Sequence, residues 1–366
     1  MFTGIVLITR SSVLKINRLF TLFIINLFFF AFCNAETLSV NSQEISNDLQ
    51  NISARFHPNS SAFNVFADLI VWTAQEAGAD CWAEAITSNQ SSLSDDLRQV
   101  HFGLDLGFRV GVGYGMKHDQ WDTTVYYTWF YTKGTDHTSR GPGSIHSTFI
   151  GNFYVNNPEG SGISGPAYES ASIAWTIRFN MVDWDLGRNF WISKSLALRP
   201  FIGIKGGSIH QFIHSKWQNP EVSESDFFNV GIENLKNNFW GIGPEAGIDT
   251  KWVLFNAENH FLSLFGNISG AVMWGHWSLK DVYYNDIQQK ITVNPQSLNS
   301  GAPMVRVLTG LEWNMDFEQN RYRFSTKLGY EMQFWLKQLH FYSFTGGRLD
   351  NQLTLQGGTL EFSFDF

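Results

Sequence analysis

From Arg321 to Lys337 the chain alternates between two chemistries without a break. Tyr322, Phe324, Thr326, Leu328, Tyr330, Met332, Phe334 and Leu336 form one series, and Arg321, Arg323, Ser325, Lys327, Gly329, Glu331, Gln333, Trp335 and Lys337 form the other. An α-helix would mix the two series around its axis, whereas a β-strand sends them to opposite faces. The stretch before it repeats the arrangement. Val305, Val307, Thr309, Leu311, Trp313 and Met315 alternate with Arg306, Leu308, Gly310, Glu312, Asn314 and Asp316, and only Phe317 to Asn320 join the two. Such spacing predicts a tight hairpin whose two faces meet different solvents.

The same rule predicts ten strands, near 62–74, 101–115, 119–132, 171–184, 195–213, 238–253, 261–277, 303–316, 320–337 and 351–366. Most exceed the roughly 9–11 residues that a tilted strand needs to cross a bilayer. Beyond the first 35 residues no run approaches the ~18 consecutive apolar residues of a spanning helix, so any span must be built from strands. Composition agrees: Phe (33), Trp (14), Tyr (11) and Gly (32) are abundant and charged residues are scarce at 16%, yet mean hydropathy is only −0.14. The connections alternate in length. Short ones lie near 115–119, 184–195, 253–261 and 316–320, and long ones cover roughly 75–100, 133–170, 214–237, 278–302 and 338–350. Short periplasmic turns opposite long outer loops are the pattern of an outer-membrane barrel. The fold expected is all-β: a transmembrane, antiparallel, up-and-down β-barrel of about ten strands. A count of twelve stays open, because Asp80 to Thr87 can form an extra strand with a partner in 145–155. The loop at 133–170, with Gly141-Pro142-Gly143 and Gly160-Ser161-Gly162, is either disordered or folded inward as a constriction.

The two ends fit export and insertion. Arg10, Lys15 and Arg18 precede an apolar run from Leu19 to Phe32 and a small-residue site at Cys33-Asn34-Ala35, which reads as a signal peptide over 1–35 cleaved after Ala35. Residues 36–60 read as a polar periplasmic lead-in, and 61–366 as the barrel. The last strand ends Phe362, Phe364, Phe366, with Glu361, Ser363 and Asp365 between. A terminal Phe on an alternating aromatic strand resembles the signal read by the barrel assembly machinery. Once the signal is removed Cys81 is the only cysteine, which allows no intramolecular disulfide. It is either a packed residue or the site of an intermolecular bond.

Turning the polar face of every strand inward gives the expected pore wall: Asp68, Asp105, Arg109, Asp122, Arg178, Arg199, Lys205, Glu245, Asp249, Lys251, Arg306, Glu312, Asp316, Arg323, Lys327 and Glu331. In a water-filled lumen these charges set selectivity; in a narrow one they pair and fill it. About eight strands leave a filled interior and 16–18 an open channel, so ten lies toward the closed end. Inward glycines such as Gly107, Gly111, Gly243, Gly247 and Gly310 argue for space, or equally for curvature and close backbone approach. Trp72, Trp121, Trp129, Trp252, Trp274, Trp313 and Tyr330 are expected to face lipid as interfacial girdles.

Asp68-Leu69-Ile70-Val71-Trp72, the strand Leu106-Gly107-Phe108-Arg109-Val110-Gly111-Val112-Gly113-Tyr114, and Asp119-Gln120-Trp121-Asp122 followed by Tyr127-Thr128-Trp129 together resemble the Legionella-type major outer membrane proteins, pore-forming relatives of which occur in chlamydia-like bacteria. The resemblance is sharpest over about 62–132. It implies an outer-membrane pore for passive diffusion of small hydrophilic solutes or ions, with no enzymatic activity. A plugged structural or adhesin barrel acting through its loops is the alternative. An outer-membrane enzyme is a third reading, for which no nucleophile motif is present. No catalytic, cofactor-binding or metal-binding residue is indicated, since His210 and His214 are about 13 Å apart on a strand. Expected partners are outer-membrane lipid, the assembly machinery, and, as open alternatives, further copies of the chain or a host-cell surface. The net charge of −8 argues against nucleic acid.

Overall fold

The computed structural model describes residues 62–77, 81–89, 92–116, 119–142, 144–151, 167–221, 228–257, 260–288, 290–294, 297–317, 322–343 and 347–366. The expected signal peptide, its cleavage site and the lead-in lie outside these residues. Fifteen strands follow in order: β1 (Ala62–Glu76), β2 (Ala83–Asn89), β3 (Ser92–Arg98), β4 (Asp105–Gly115), β5 (Trp121–Ser139), β6 (Ile145–Ser147), β7 (Ala167–Arg188), β8 (Phe190–Trp191), β9 (Leu196–Glu221), β10 (Val230–Asn256), β11 (His260–Asn285), β12 (Lys290–Val293), β13 (Leu298–Phe317), β14 (Tyr322–Ser343) and β15 (Gly347–Asp365). Ten of them, β1, β4, β5, β7, β9, β10, β11, β13, β14 and β15, pair antiparallel with their neighbours, and β15 returns to pair with β1. The result is a closed barrel built from the ten predicted strands.

Closure removes the edges that hydrocarbon cannot satisfy. At the seam Phe63 and Phe366 exchange two backbone hydrogen bonds of 2.9 Å, and the side chain of Asn64 is bonded to Asp365. Phe362, Phe364 and Phe366 point outward, with Phe364 stacked on Tyr322 at 6.0 Å and Phe366 on Phe63 at 6.1 Å. Lipid-facing rows of Phe, Val, Leu and Ile cover the lower part of all ten strands.

Above that band the strands continue and their pattern inverts. In β7 the inward positions change from Asp183 and Asp185 to Met181, Phe179, Ile177, Trp175 and Ile173, while the outward ones change from Leu186, Trp184 and Val182 to Asn180, Arg178 and Thr176. β9 does the same, from Arg199 and Lys205 inward to Ile209, Ile213 and Trp217. The physical cause is the change of outer solvent. In lipid a strand is apolar outside and can be polar within, but once water surrounds it the apolar side must turn in to make a core. This inversion explains two corrections. Arg178, expected on the pore wall, faces outward and lies over the Tyr131 ring at 5.9 Å. Trp72, expected in a girdle, is fully buried inside the barrel. Trp274 and Tyr330 are exposed outward as expected, as is Trp313, and Trp121, Trp129 and Trp252 sit half-buried on outward positions. The inversion also lengthens the strands: β9, β10 and β11 run 26, 27 and 26 residues, β9 and β10 take up most of the expected loop at 214–237, and β11 with β12 and β13 takes up most of that at 278–302.

The remaining strands form a cap at the outer end. The hairpin β2–β3 is joined through β6 to the outer end of β7, so the extra strand expected over 80–87 exists, as does its partner in 145–155, but both lie off the barrel path. Trp82, immediately before β2, packs edge-on against Trp217 at 5.6 Å and donates to Asp136 at 2.9 Å, and Arg98 closes the same carboxylate at 2.6 Å.

Candidate functional site: the lumen

Three layers fill the barrel from the side of the short turns outward. The first is a vestibule of about 380 Å³ that reaches Asn64, Asp122, Trp191 and Asp365. Its cations are all paired. Arg199 binds Asp122 and Asp185 and reaches Asp249 at 2.8 Å. Lys251 meets Glu312 at 2.8 Å, Arg323 meets Asp316 at 2.6 Å, and Lys327 meets Glu361 at 2.8 Å.

The second layer is a buried charge network that crosses the lumen. Arg109 on β4 reaches Asp68 on β1 at 2.9 Å and Glu331 on β14 at 2.9 Å, and its Nε donates to Thr128 at 3.0 Å. Arg306 on β13 shares Glu331 at 2.8 Å and donates from Nη1 to the Tyr126 hydroxyl on β5 at 2.9 Å. Lys205 on β9 binds Asp183 on β7 and approaches Glu245 on β10 at 3.4 Å; Glu245 in turn accepts from Ser269 at 2.9 Å. Tyr126 supports both guanidinium groups with its ring face, at 5.5 Å from Arg109 and 5.9 Å from Arg306. Buried charges are tolerable only when paired, and each of these has an oppositely charged partner.

The third layer is apolar. Trp72, Trp175, Trp217, Trp277 and Trp335 are fully buried, as is Trp82 from the cap, and they interlock with Phe130, Phe179 and Phe239 at centroid distances such as 5.6 Å for Phe179–Trp335 and 4.7 Å for Phe239–Trp277. Some of the polar groups among them are tied together, as Trp175 donates to Gln211 at 2.9 Å and Gln211 donates to Glu76 at 3.2 Å, whereas the indole nitrogen of Trp72 is buried without a partner among the described residues. The segment after β6 folds in from above, so of the two alternatives for 133–170 the described residues 148–151 take the inward one. The amide of Gly151 donates to Glu233 at 2.6 Å and its carbonyl accepts from Tyr168 at 3.0 Å. Gly151 has φ of +88° with Trp217 against it, a position that excludes any side chain.

All but one of the expected pore-wall residues therefore face inward, and the structure joins them in pairs. Arg178 is the exception. Asp105 is set apart at the outer end of β4, where it accepts from Thr132 at 2.6 Å. Asp183, Asp185, Glu361 and Tyr126 were not singled out from the sequence, although each lies on the inward register of its strand and alternation alone marks them. The inward glycines do not make space. A Cβ at Gly310 would stand 2.1 Å from the Leu328 carbonyl, and one at Gly247 would stand 2.5 Å from the Phe201 ring. Their role is close backbone approach and room for neighbouring rings. His210 and His214 face outward, hydrogen-bonded to Asn238 at 2.9 Å and Asn234 at 2.7 Å. Among the described residues no group of three or more His, Cys, Asp or Glu is placed to hold a metal.

A closed ten-strand sheet with a lipid-facing band, short turns on one side and a projecting cap on the other defines an outer-membrane β-barrel protein. Residues 57–366 match the family described as Legionella pneumophila major outer membrane protein precursor, and the chain belongs to that family. No curated protein matches the sequence. Among solved structures, the chain is similar to a major outer membrane protein from Thermus thermophilus, at 10% identity over 84% of this chain and 100% of that one, with a TM-score of 0.31. It is also similar to the outer membrane protease OmpT from Escherichia coli, at 9% identity over 83% and 96%, with a TM-score of 0.39. A Pseudomonas aeruginosa FadL homologue is matched at 10% identity over 88% and 94%, with a TM-score of 0.31.

Proposed function

We propose that this outer-membrane barrel is held shut in the conformation described and serves the envelope through its walls and its projecting outer half, as a structural and surface-presenting protein without enzymatic activity. The observation that carries this reading is the three-layer filling of the lumen. A solute entering the vestibule meets the Arg109–Glu331–Arg306 network and then a layer of fully buried tryptophans. Breaking the network leaves buried charges unpaired, which costs several kcal/mol per ion. Thermal motion of side chains alone does not supply that repeatedly along one path.

Passive diffusion of small hydrophilic solutes or ions is the second reading, and the vestibule favours it, because its wall is charged and its volume of about 380 Å³ admits small solutes. Conduction would require the segment at 144–151 to withdraw and the tryptophan layer to part. Single-channel recording of the refolded protein in a planar bilayer separates the two, with heat-modifiable gel migration to establish folding. The closed reading expects folded protein without discrete steps. Steps that scale with salt concentration would replace it by the diffusion pore and make Lys205, Arg306 and Glu331 selectivity residues.

A further inference from the structure

Over 121–139, 171–188, 196–220, 230–256 and 260–285 the outward faces of β5, β7, β9, β10 and β11 carry no carboxylate, in a chain that has 33 acidic residues and a net charge of −8. They do carry Lys133, Arg178, Lys216, Lys236 and Lys280, together with His210, His214 and His276. All of these lie within a few outward positions above the apolar band. On β10 the exposed Trp240, 54% exposed, is followed outward by Asn238 and Lys236; on β11 the exposed Trp274, 64% exposed, is followed outward by His276, Ser278 and Lys280. Each outward step is about 6.6 Å along the strand, so the basic groups stand at the depth of lipid headgroups.

Register makes them a cluster. Arg178 is directly opposite His210 on the next strand, and Lys236 is directly opposite Lys280. Like charges placed directly opposite on adjacent strands repel. No salt bridge to Lys133, Arg178, Lys216, Lys236 or Lys280 exists among the described residues, whereas every lumenal cation named above has a carboxylate. Two are steadied on aromatic faces, Arg178 over Tyr131 at 5.9 Å and Lys236 over Phe212 at 5.8 Å, which holds the charge without neutralising it. Two acidic groups above this zone are already committed: Asp286 accepts from the Asn229 amide at 3.0 Å, and Glu169 accepts from Asn219 at 2.7 Å. The three histidines each bond an asparagine through Nδ1, with His276 on Asn299 at 2.8 Å, which fixes their rings along the wall.

We infer that this collar, centred on Arg178, His210, Lys236 and Lys280, is a binding surface for phosphate groups of the outer-leaflet lipid. Its height just above the tryptophans, its single sign and its position on the lipid-facing side select a membrane-anchored phosphate as the occupant. The inference rests on outer-membrane location and is independent of whether the lumen conducts.

The test uses the full chain refolded in detergent, with folding checked by gel migration, and native mass spectrometry to measure binding of lipopolysaccharide before and after enzymatic removal of its phosphates. Preference for the phosphorylated lipid of roughly tenfold or more is expected from a few cations at an anionic surface. The double variant Lys236→Gln/Lys280→Gln should reduce that preference to within about twofold, and Lys194→Gln on a short turn at the opposite end should leave it unchanged. Equal binding of the two lipids, or an unchanged preference in the folded double variant, would overturn the assignment. Displacement of the lipid by inorganic phosphate at matched concentration would also overturn it, in favour of a soluble anion.

Discussion

The lower and upper halves of the same strands obey opposite rules. Below, β7 shows Leu186, Trp184 and Val182 to lipid and keeps Asp183 and Asp185 inside; above, it shows Asn180, Arg178 and Thr176 to water and keeps Ile177, Trp175 and Ile173 inside. The lower half has no hydrophobic drive to close, because its outer solvent is as apolar as its side chains, and what joins its walls across the lumen is charge pairing. In the upper half water does drive closure, and the walls meet through tryptophan. One sheet is thus stabilised by two kinds of interior, stacked end to end.

Substitutions that behave differently in the two halves test this division most directly. Glu331→Gln removes the carboxylate that Arg109 and Arg306 share and should cost about 3–5 kcal/mol, the range for breaking a buried ion pair; the urea midpoint of the protein in vesicles, followed by gel migration, gives the value. Loss of less than about 1 kcal/mol would mean that water reaches the network. Trp175→Ala should cost a similar ~3–5 kcal/mol by leaving a cavity in the upper interior, with no salt dependence. Leu328→Arg places a charge in lipid and should cost roughly 2–4 kcal/mol, whereas Ala174→Arg, on an outward position of the upper half, should stay within about 0.5 kcal/mol of wild type. Equal costs for the two would mean that the boundary lies elsewhere.

The smallest effect concerns the junction of β9, β10 and β11. Slight burial pushes the Asp286 carboxyl up, but the backbone amides around Asn229 and Val230 outweigh it and hold Asp286 below the usual carboxylate range. A depressed value in the folded state adds stability above the unfolded carboxylate value and loses it as pH falls through the folded one. Protection of the Asn229 amide from hydrogen exchange should therefore decline only in that acidic window, and Asp286→Asn should flatten the dependence.

Much of the fold was legible because alternation is a local signal. The hairpin at 303–316 and 320–337 is observed as β13 and β14 with the expected faces, Glu312 opposite Lys327 within the barrel and Leu311 opposite Leu328 on the lipid side. Arg178 and Trp72 were misplaced because polarity tells inside from outside only when the outer solvent is known, and that solvent changes part-way along each strand. Strand ends were underestimated for the same reason: a polar-out, apolar-in hairpin in water reads as loop to a rule written for lipid. Partners across the lumen, such as Arg109 with Glu331, are set by barrel closure between residues 222 positions apart, and no window of sequence contains them. The outer basic collar was hidden for a simpler reason, since a net charge of −8 averages over faces that never meet.

The seam where Phe63 meets Phe366 has a consequence for how the molecule is made. Asn64 and Asp365, joined there, are separated by 301 positions, so the contact that closes the barrel joins its first strand to its last. Until it forms, β1 and β15 present two bare rows of amides and carbonyls, each costing several kcal/mol per group in hydrocarbon. An intermediate of nine strands has no stable resting place in the bilayer. Assembly is therefore a latch rather than a zipper: the sheet has to be gathered and shielded at the membrane while incomplete, then released in a single closing event, and a chain that loses its final strand should be a substrate for proteolysis instead of a slightly weaker barrel.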